Sequence, residues 1–353
     1  MILVTGGAGF IGANFVLDWL DGVDEAVINV DKLTSAGNLG TLRPLHGDQS
    51  HIFVRADICD RSTLDVLLAD YQPRAIVHFA SENQIDCSIE GPGDLVHTNI
   101  VGTYTLLEAA RFYWNSLPSE ERDAFRFMHV STDEVFGSLR LNDPPFSESA
   151  HYQPNTPYSA TRASSEHLVR AWSHTFGLPT LTTHCSNNYG PYQFPEKPIP
   201  QMIANALAGR PLPVYGDGQD VRDWLFVGDH CSAIRKVLAK GRPGETYNIG
   251  GWNEVKSVDF VHTLCDLLDQ YKPKHAGSYR DQINWVTERL GHDRRYAIDA
   301  RKLERELGWK PAETFASGLA KTVRWYLENE QWIREVASGD FRDWVETNYQ
   351  KRA

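Results

Sequence analysis

The sequence predicts an α/β fold: a doubly wound parallel sheet followed by a smaller, mixed C-terminal domain. Three observations predict it. Short apolar runs alternate with helical patterns through the first half of the chain. Those runs stay apolar instead of alternating with polar residues, as strands covered on both faces do. A Gly-rich turn, Gly6-Gly7-Ala8-Gly9-Phe10-Ile11-Gly12, joins the first run to the first helical pattern. Together they describe a Rossmann-type sheet.

Taken in order, strands are expected at 2–5, 26–31, 51–57, 75–80, 126–131 and 179–185. Each is β-branched and bounded by Gly, Pro or Asp. Helices are expected at 10–20, 62–71, 95–114 and 158–176, where apolar residues recur at i, i+3 and i+4. Residues 142–157, rich in Pro, Ser and Asn, read as a long loop. Beyond Asn187 the pattern loosens into a helix at 199–207, a strand at 245–249 and amphipathic helices at 259–270 and 318–328. The expected division is 1–186 for a dinucleotide-binding domain, with 223–250 returning to it, and 187–222 plus 251–353 for a substrate domain.

The chain has 353 residues and a net charge of −11 without a basic run, which excludes the electrostatic footprint of a nucleic-acid binder. No apolar stretch is long enough for a membrane span. Nothing at the start of the chain suggests export, so a cytoplasmic location is expected. Five scattered cysteines without a Cys-x-x-Cys pair argue against a disulfide framework and a structural zinc site, and no metal is expected.

The Gly6–Gly12 turn opens a helix after a strand, the setting in which backbone amides meet a pyrophosphate. Asp31 ends the next strand, nineteen residues after Gly12, where a carboxylate accepts hydrogen bonds from a ribose and repels a 2′-phosphate. NAD is therefore expected rather than NADP. Asp57-Ile58 ends the third strand and is a weaker candidate for the adenine side, because Asp at a strand end is a common helix cap.

Ser131-Thr132-Asp133-Glu134 ends the fifth strand, on the edge of a parallel sheet where ligands bind. Neighbouring acids in a dry pocket push their pKa values apart, so one serves as acid and the other as base. The same residues also suit a helix cap. Tyr158 and Arg162 share a helix face at i and i+4, and a fixed cation favours phenolate. An exposed Tyr and Arg at a helix start would look the same.

These motifs together resemble the extended short-chain dehydrogenase/reductases. Ser186–Tyr192, Phe194–Lys197, Pro213–Gly218, Arg222-Asp223-Trp224 and Gly291–Tyr296 narrow the resemblance to the dTDP-glucose 4,6-dehydratase family, over essentially the whole chain. The Asp133-Glu134 pair is the specific mark, since epimerases of the superfamily usually lack it. The resemblance implies Thr132, Asp133, Glu134, Tyr158 and Arg162 as catalytic residues. It implies NAD against Gly6, Gly9, Phe10, Ile11, Gly12, Asp31, Lys32, Thr34, Asp57, Ile58, Ala80, Ser81, Thr98, Tyr158, Arg162 and Asn188. It implies a nucleotide-diphosphate sugar, dTDP-glucose, against Glu82, Gln84, Thr132, Asn187, Glu196, Lys197, Pro213, Tyr215, Arg222, Arg289 and His292. A homodimer through 95–114 and 158–176 is also implied. Several residues depart from the family pattern. Arg162 stands for Lys, Gln84 and Cys87 for His and Arg, Ser35 and Phe136 for Tyr, and Ser257 for Asn; Glu288, Leu290, His184 and Pro198 also differ. Within enzymes, an epimerase or a decarboxylase is the alternative; outside them, an NAD-bound binding protein.

Overall fold

The structure, a computed structural model, describes residues 1–34, 36–83, 92–287 and 294–337. Seven parallel strands form the main sheet in the order β10-β6-β5-β4-β1-β2-β3. They are β1 (Ile2–Thr5), β2 (Val27–Asp31), β3 (His51–Arg55), β4 (Ala75–His78), β5 (Arg126–Thr132), β6 (Thr180–Cys185) and β10 (Thr246–Ile249). The strand order reverses between β1 and β4, and at such a point the loops part and leave a crevice.

Helices cover both faces, which explains the unbroken apolar strands. On one side α1 (Phe10–Gly22) and the helix Val227–Lys240 bury Phe15, Val16, Trp19, Ile234 and Val237. On the other, α2 (Arg61–Tyr71), α3 (residues 93–116) and the helix Pro157–Phe176 bury Leu64, Leu68, Leu106, Leu107 and Val169. Within α3 the stretch Val96–Gly102 is π-helical. That local widening sets Thr98 and Asn99 toward the sheet edge.

The smaller unit has its own core, built on Tyr189, Ile203, Trp224, Phe260, Leu264, Phe315 and Leu319. Its sheet centres on β9 (Val221–Phe226), which pairs with β7 (Asn187–Tyr189), β11 (Glu254–Lys256) and β13 (Arg295–Tyr296). A separate parallel pair joins β8 (Leu212–Tyr215) to β12 (Ile283–Val286). The chain returns to the large unit at Val227, because 223–226 is spent on β9. Asp223 ties the loop behind β10 to this sheet by accepting from Gly251 N at 3.1 Å and Asn253 N at 2.8 Å.

The four expected helices of the first half are present, and the six expected strands are present with ends shorter or longer by up to two residues. The strand expected at 245–249 is β10 of the main sheet, while the strands of the smaller unit and the helix Val227–Lys240 were not anticipated.

Candidate active site

A cleft of about 310 Å³ opens beyond the carboxyl ends of the main strands. Its floor is the Gly-rich turn. A Cβ on Gly12 would lie 2.2 Å from the Gly6 carbonyl oxygen, and one on Gly6, whose φ is +75°, 2.6 Å from Ala80 N. At both positions the added carbon would meet backbone, so only glycine fits there. No side chain caps the start of α1 at Gly9, so its first amides are left for a ligand.

Asp31 stands at the cleft wall. One carboxylate oxygen accepts from Ala8 N at 3.0 Å and the other from Leu33 N at 2.8 Å, leaving lone pairs for two hydroxyls. Burial holds its pKa above the usual value, against those two amides. Lys32 is already occupied: its ammonium donates to Thr98 Oγ1 at 2.7 Å and pairs with Glu82 at 3.1 Å. It therefore offers a 2′-phosphate little. Asn99 pins the segment after β4, accepting from Glu82 N at 2.8 Å and donating to Glu82 O at 3.0 Å. The tight turn, the uncapped helix start and the placed carboxylate fit a dinucleotide.

The chemical groups lie deeper. Thr132 ends β5, and its hydroxyl accepts from Glu134 N at 3.3 Å, starting the short turn Asp133–Phe136. Asp133 is 2% exposed, and one of its oxygens lacks a partner among the described residues. Burial first, then Glu134 and Asp223, push its pKa well above the carboxylate range, with Arg222 opposing. That shift favours the protonated carboxyl, the form that can deliver a proton.

Tyr158 owes its position to a capping box. Thr156 Oγ1 accepts from Ser159 N at 3.1 Å, Thr156 N donates back to Ser159 Oγ at 3.0 Å, and Pro157 fills the first helical position. Burial raises the phenol above its ordinary value and Arg162 opposes the shift. The cation acts with the expected sign, but desolvation outweighs it. Arg162 itself is 2% exposed. Its Nη2 donates to the Val130 carbonyl, while Nε and Nη1 have no partner among the described residues.

Every described cofactor candidate lines this cleft except Asp57. Ala56 and Ile58 line the cleft, while the Asp57 carboxylate accepts from Cys59 N at 2.8 Å, in the turn that leads to Asp60, the cap of α2, and lies 4.0 Å from Lys32 Nζ. Of the substrate candidates, Glu82, Thr132, Asn187, Glu196 and Lys197 line the cleft. Pro213 and Tyr215 do not, because β8 pairs with β12 away from it. Arg222 is also outside the lining. It stacks over the Tyr296 ring at 4.9 Å and lies 3.9 Å from Asp220, though its charge still reaches Asp133. Ser257 bonds Asp220 at 2.6 Å instead of facing the cleft. Gln84, Cys87, Arg289 and His292 lie outside the described residues. Asn83, Ser186, Gln193 and Trp224 line the cleft without having been anticipated. They sit in loops and short strands whose sequence carries no periodic signal.

A family model described as GDP-mannose 4,6 dehydratase matches residues 3–322. The dTDP-glucose 4,6-dehydratase of Xanthomonas campestris pv. campestris is 60% identical over 342 residues, 96% of this chain and 97% of that protein. The chain belongs to the dTDP-glucose 4,6-dehydratase family. Among solved structures, the Bacillus anthracis dTDP-glucose 4,6-dehydratase in complex with NAD is 44% identical with a TM-score of 0.84, covering 95% of this chain and 99% of that one. A UDP-glucose 4-epimerase from Thermotoga maritima shares the fold at 26% identity and a TM-score of 0.81, covering 93% and 99%. The dehydratase family therefore stands well apart from the epimerase in likeness to this chain.

Replacing Gly12 with Ala should abolish NAD binding, because the added methyl meets a backbone oxygen that cannot move aside. Calorimetry with NAD measures it; an unchanged dissociation constant would place the dinucleotide elsewhere.

Proposed function

We propose that this chain is an NAD-dependent dehydratase converting dTDP-glucose to dTDP-4-keto-6-deoxyglucose. The carrying observation is one cleft that holds the Gly6–Gly12 turn, Asp31, the buried phenol of Tyr158 and the Thr132-Asp133-Glu134 run. NAD, when bound, supplies a place to hold the C4 hydride until it is returned at C6. Tyr158, with Thr132 beside it, takes the proton of the sugar 4-hydroxyl. The ketone at C4 acidifies C5–H, and Glu134 removes that proton. Asp133 gives its proton to the departing C6 hydroxyl, which leaves as water. The raised pKa of Asp133 supports that assignment. The larger unit, 1–186 with 227–250, takes the dinucleotide, and Glu196 and Lys197 from the smaller unit face the sugar nucleotide across the cleft. A location in the cytoplasm fits the use of a soluble nucleotide sugar, and no described helix is long and apolar enough to cross a membrane.

The purified protein should release NAD on denaturation and form the 4-keto-6-deoxy product from dTDP-glucose, read by mass. Tyr158→Phe should remove activity. Product retaining the mass of the substrate would indicate epimerisation; no turnover of any nucleotide sugar would leave an NAD-binding protein.

Arg162 limits the rate in this reading. Its guanidinium is held against the Val130 carbonyl, and a forked, planar cation does not reproduce a lysine's reach to tyrosine and ribose together. Arg162→Lys should raise kcat by about tenfold, within the roughly hundredfold that a misplacement of about 1 Å can cost. NAD retention should stay unchanged. An equal or lower kcat would show the pocket has adapted to arginine.

The assembly is a homodimer. Val101, Tyr104 and Phe112 on α3 and Phe176 on the helix Pro157–Phe176 are 41%, 47%, 56% and 42% exposed. Tyr104 meets Trp172 at 5.8 Å between ring centroids, and Arg111 bridges the Phe112 and Phe176 rings, so the patch is continuous. An apolar surface of this kind marks a contact. Light scattering should give a dimer mass at micromolar concentration and a monomer for Phe112→Asp; a monomeric parent chain would refute it.

A further inference from the structure

Directly behind the acid pair lies a buried charge pair with no role in the chemistry above. His184 on β6 sits beside Ser131 on β5 in the ladder, and Glu166 reaches both from the helix above. Tyr158, Arg162 and Glu166 are spaced i, i+4, i+8 on that helix, so one face carries the phenol, the cation and this carboxylate. Glu166 is 3% exposed and His184 fully buried.

The hydrogen bonds define the charge states. Asn248 Nδ2 donates to the carbonyls of Phe146 at 2.9 Å and Asp299 at 3.4 Å, so Asn248 Oδ1 faces His184 Nδ1, at 3.0 Å, and accepts from it. His184 Nε2 lies 2.7 Å from the Glu166 carboxylate. Both ring nitrogens face acceptors, which makes the ring an imidazolium and Glu166 its carboxylate. Burial favours a neutral ring, yet Glu166 and Asn248 outweigh it and hold His184 above its usual pKa. Burial likewise opposes a charged Glu166, but His184, Ser131 and Tyr152 hold it below the ordinary value.

This pair brackets the catalytic turn. Glu166 accepts from Ser131 Oγ, the residue before Thr132, and from the Tyr152 hydroxyl at 2.5 Å. At the other end of the turn, the Phe136 ring packs edge-on against His184 at 4.7 Å and against Tyr152 at 5.4 Å. Asp133 and Glu134 lie between those two anchor points. Tyr158 is held separately, by its capping box.

We propose that the Glu166–His184 ion pair is a positioning element for the acid pair, gripping Ser131 on one side of Asp133-Glu134 and Phe136 on the other. It rests on the reading that those two carboxyls carry out the elimination. Loosening the grip misplaces the acid pair while leaving the tyrosine where it is, so water loss slows more than oxidation at C4. Ser131→Ala cuts the link without disturbing the charges or the volume, and Glu166→Gln removes the charge itself. In the NAD-loaded protein, each should lower kcat for dTDP-glucose by roughly ten- to a hundredfold. KM and bound NAD should stay within about twofold. A quenched single turnover should accumulate nucleotide sugar oxidised at C4 that still carries its C6 hydroxyl. Because both act through one contact, the double variant should be no slower than Glu166→Gln alone. Thermal unfolding of Ser131→Ala should match the parent chain, which keeps the test valid if Glu166→Gln folds poorly. A parent-like kcat for Ser131→Ala, or a slow variant that accumulates no oxidised sugar, would overturn the proposal. A parent chain that makes no 4-keto-6-deoxy product would instead overturn the underlying reading, and this one with it.

Discussion

The parallel register of β1, β4, β5 and β6 is the constraint on which the rest depends. Parallel neighbours need a crossover for every strand, so all their carboxyl ends emerge along one edge. The ladder pairs Thr5 with His78, His78 with His129, and Thr132 with Cys185. The residues that follow these strands are therefore brought side by side although they are far apart in sequence. The Gly-rich turn, the Ala80–Glu82 segment, the acid pair and Ser186 all meet at that edge. A slip of one residue in β5 would turn Thr132 over and carry Asp133 with it.

Charge is handled locally. A chain with a net charge of −11 exerts no general pull on a diphosphate, so the cleft works through oriented amides and a few cations. Lys32 is drawn off by Glu82 and Thr98, so its charge is already engaged beside Asp31. Burial first, then the neighbouring acids Glu134 and Asp223, do the opposite work at Asp133, favouring its protonated form. Asp223 belongs to both tasks: burial raises its own pKa to about 6, its charge bears on Asp133, and it anchors the loop behind β10.

The sheet was legible because its strands are buried on both faces and carry no alternation to confuse with a helix. The smaller unit was not. β13 is Arg295-Tyr296, two residues whose pairing with β9 is decided by tertiary contact. The helix Val227–Lys240 hides its period behind Asp229 and His230, polar residues that are buried all the same. Every described cofactor candidate except Asp57 lines the cleft, since turn, strand end and spacing are local signals. Asp57 lies outside the lining, because an Asp that holds a turn and an Asp that meets a ligand look alike in sequence. Arg222, Pro213 and Tyr215 lie outside the lining, because a motif gives identity but not the side to which a strand turns. Glu166 carried a readable signal, its i+4 spacing from Arg162, but its partner His184 lies on a different element, the strand β6.

The π-helical stretch Val96–Gly102 has a consequence for how this chain tolerates changes in length. An α-helix advances about 100° per residue, and a π turn absorbs one residue of that advance. Upstream of Gly102, α3 presents Thr98 to the cleft and Asn99 to the Glu82 backbone; downstream it presents Tyr104 and Phe112 outward. Losing one residue within the stretch would restore regular winding and leave the two halves close to their present relative angle, whereas losing one from a regular α-helical turn would rotate them by about 100°. Deletions along this one helix are thus sharply asymmetric: the extra residue in its middle is the one whose loss does not turn the inner face against the outer.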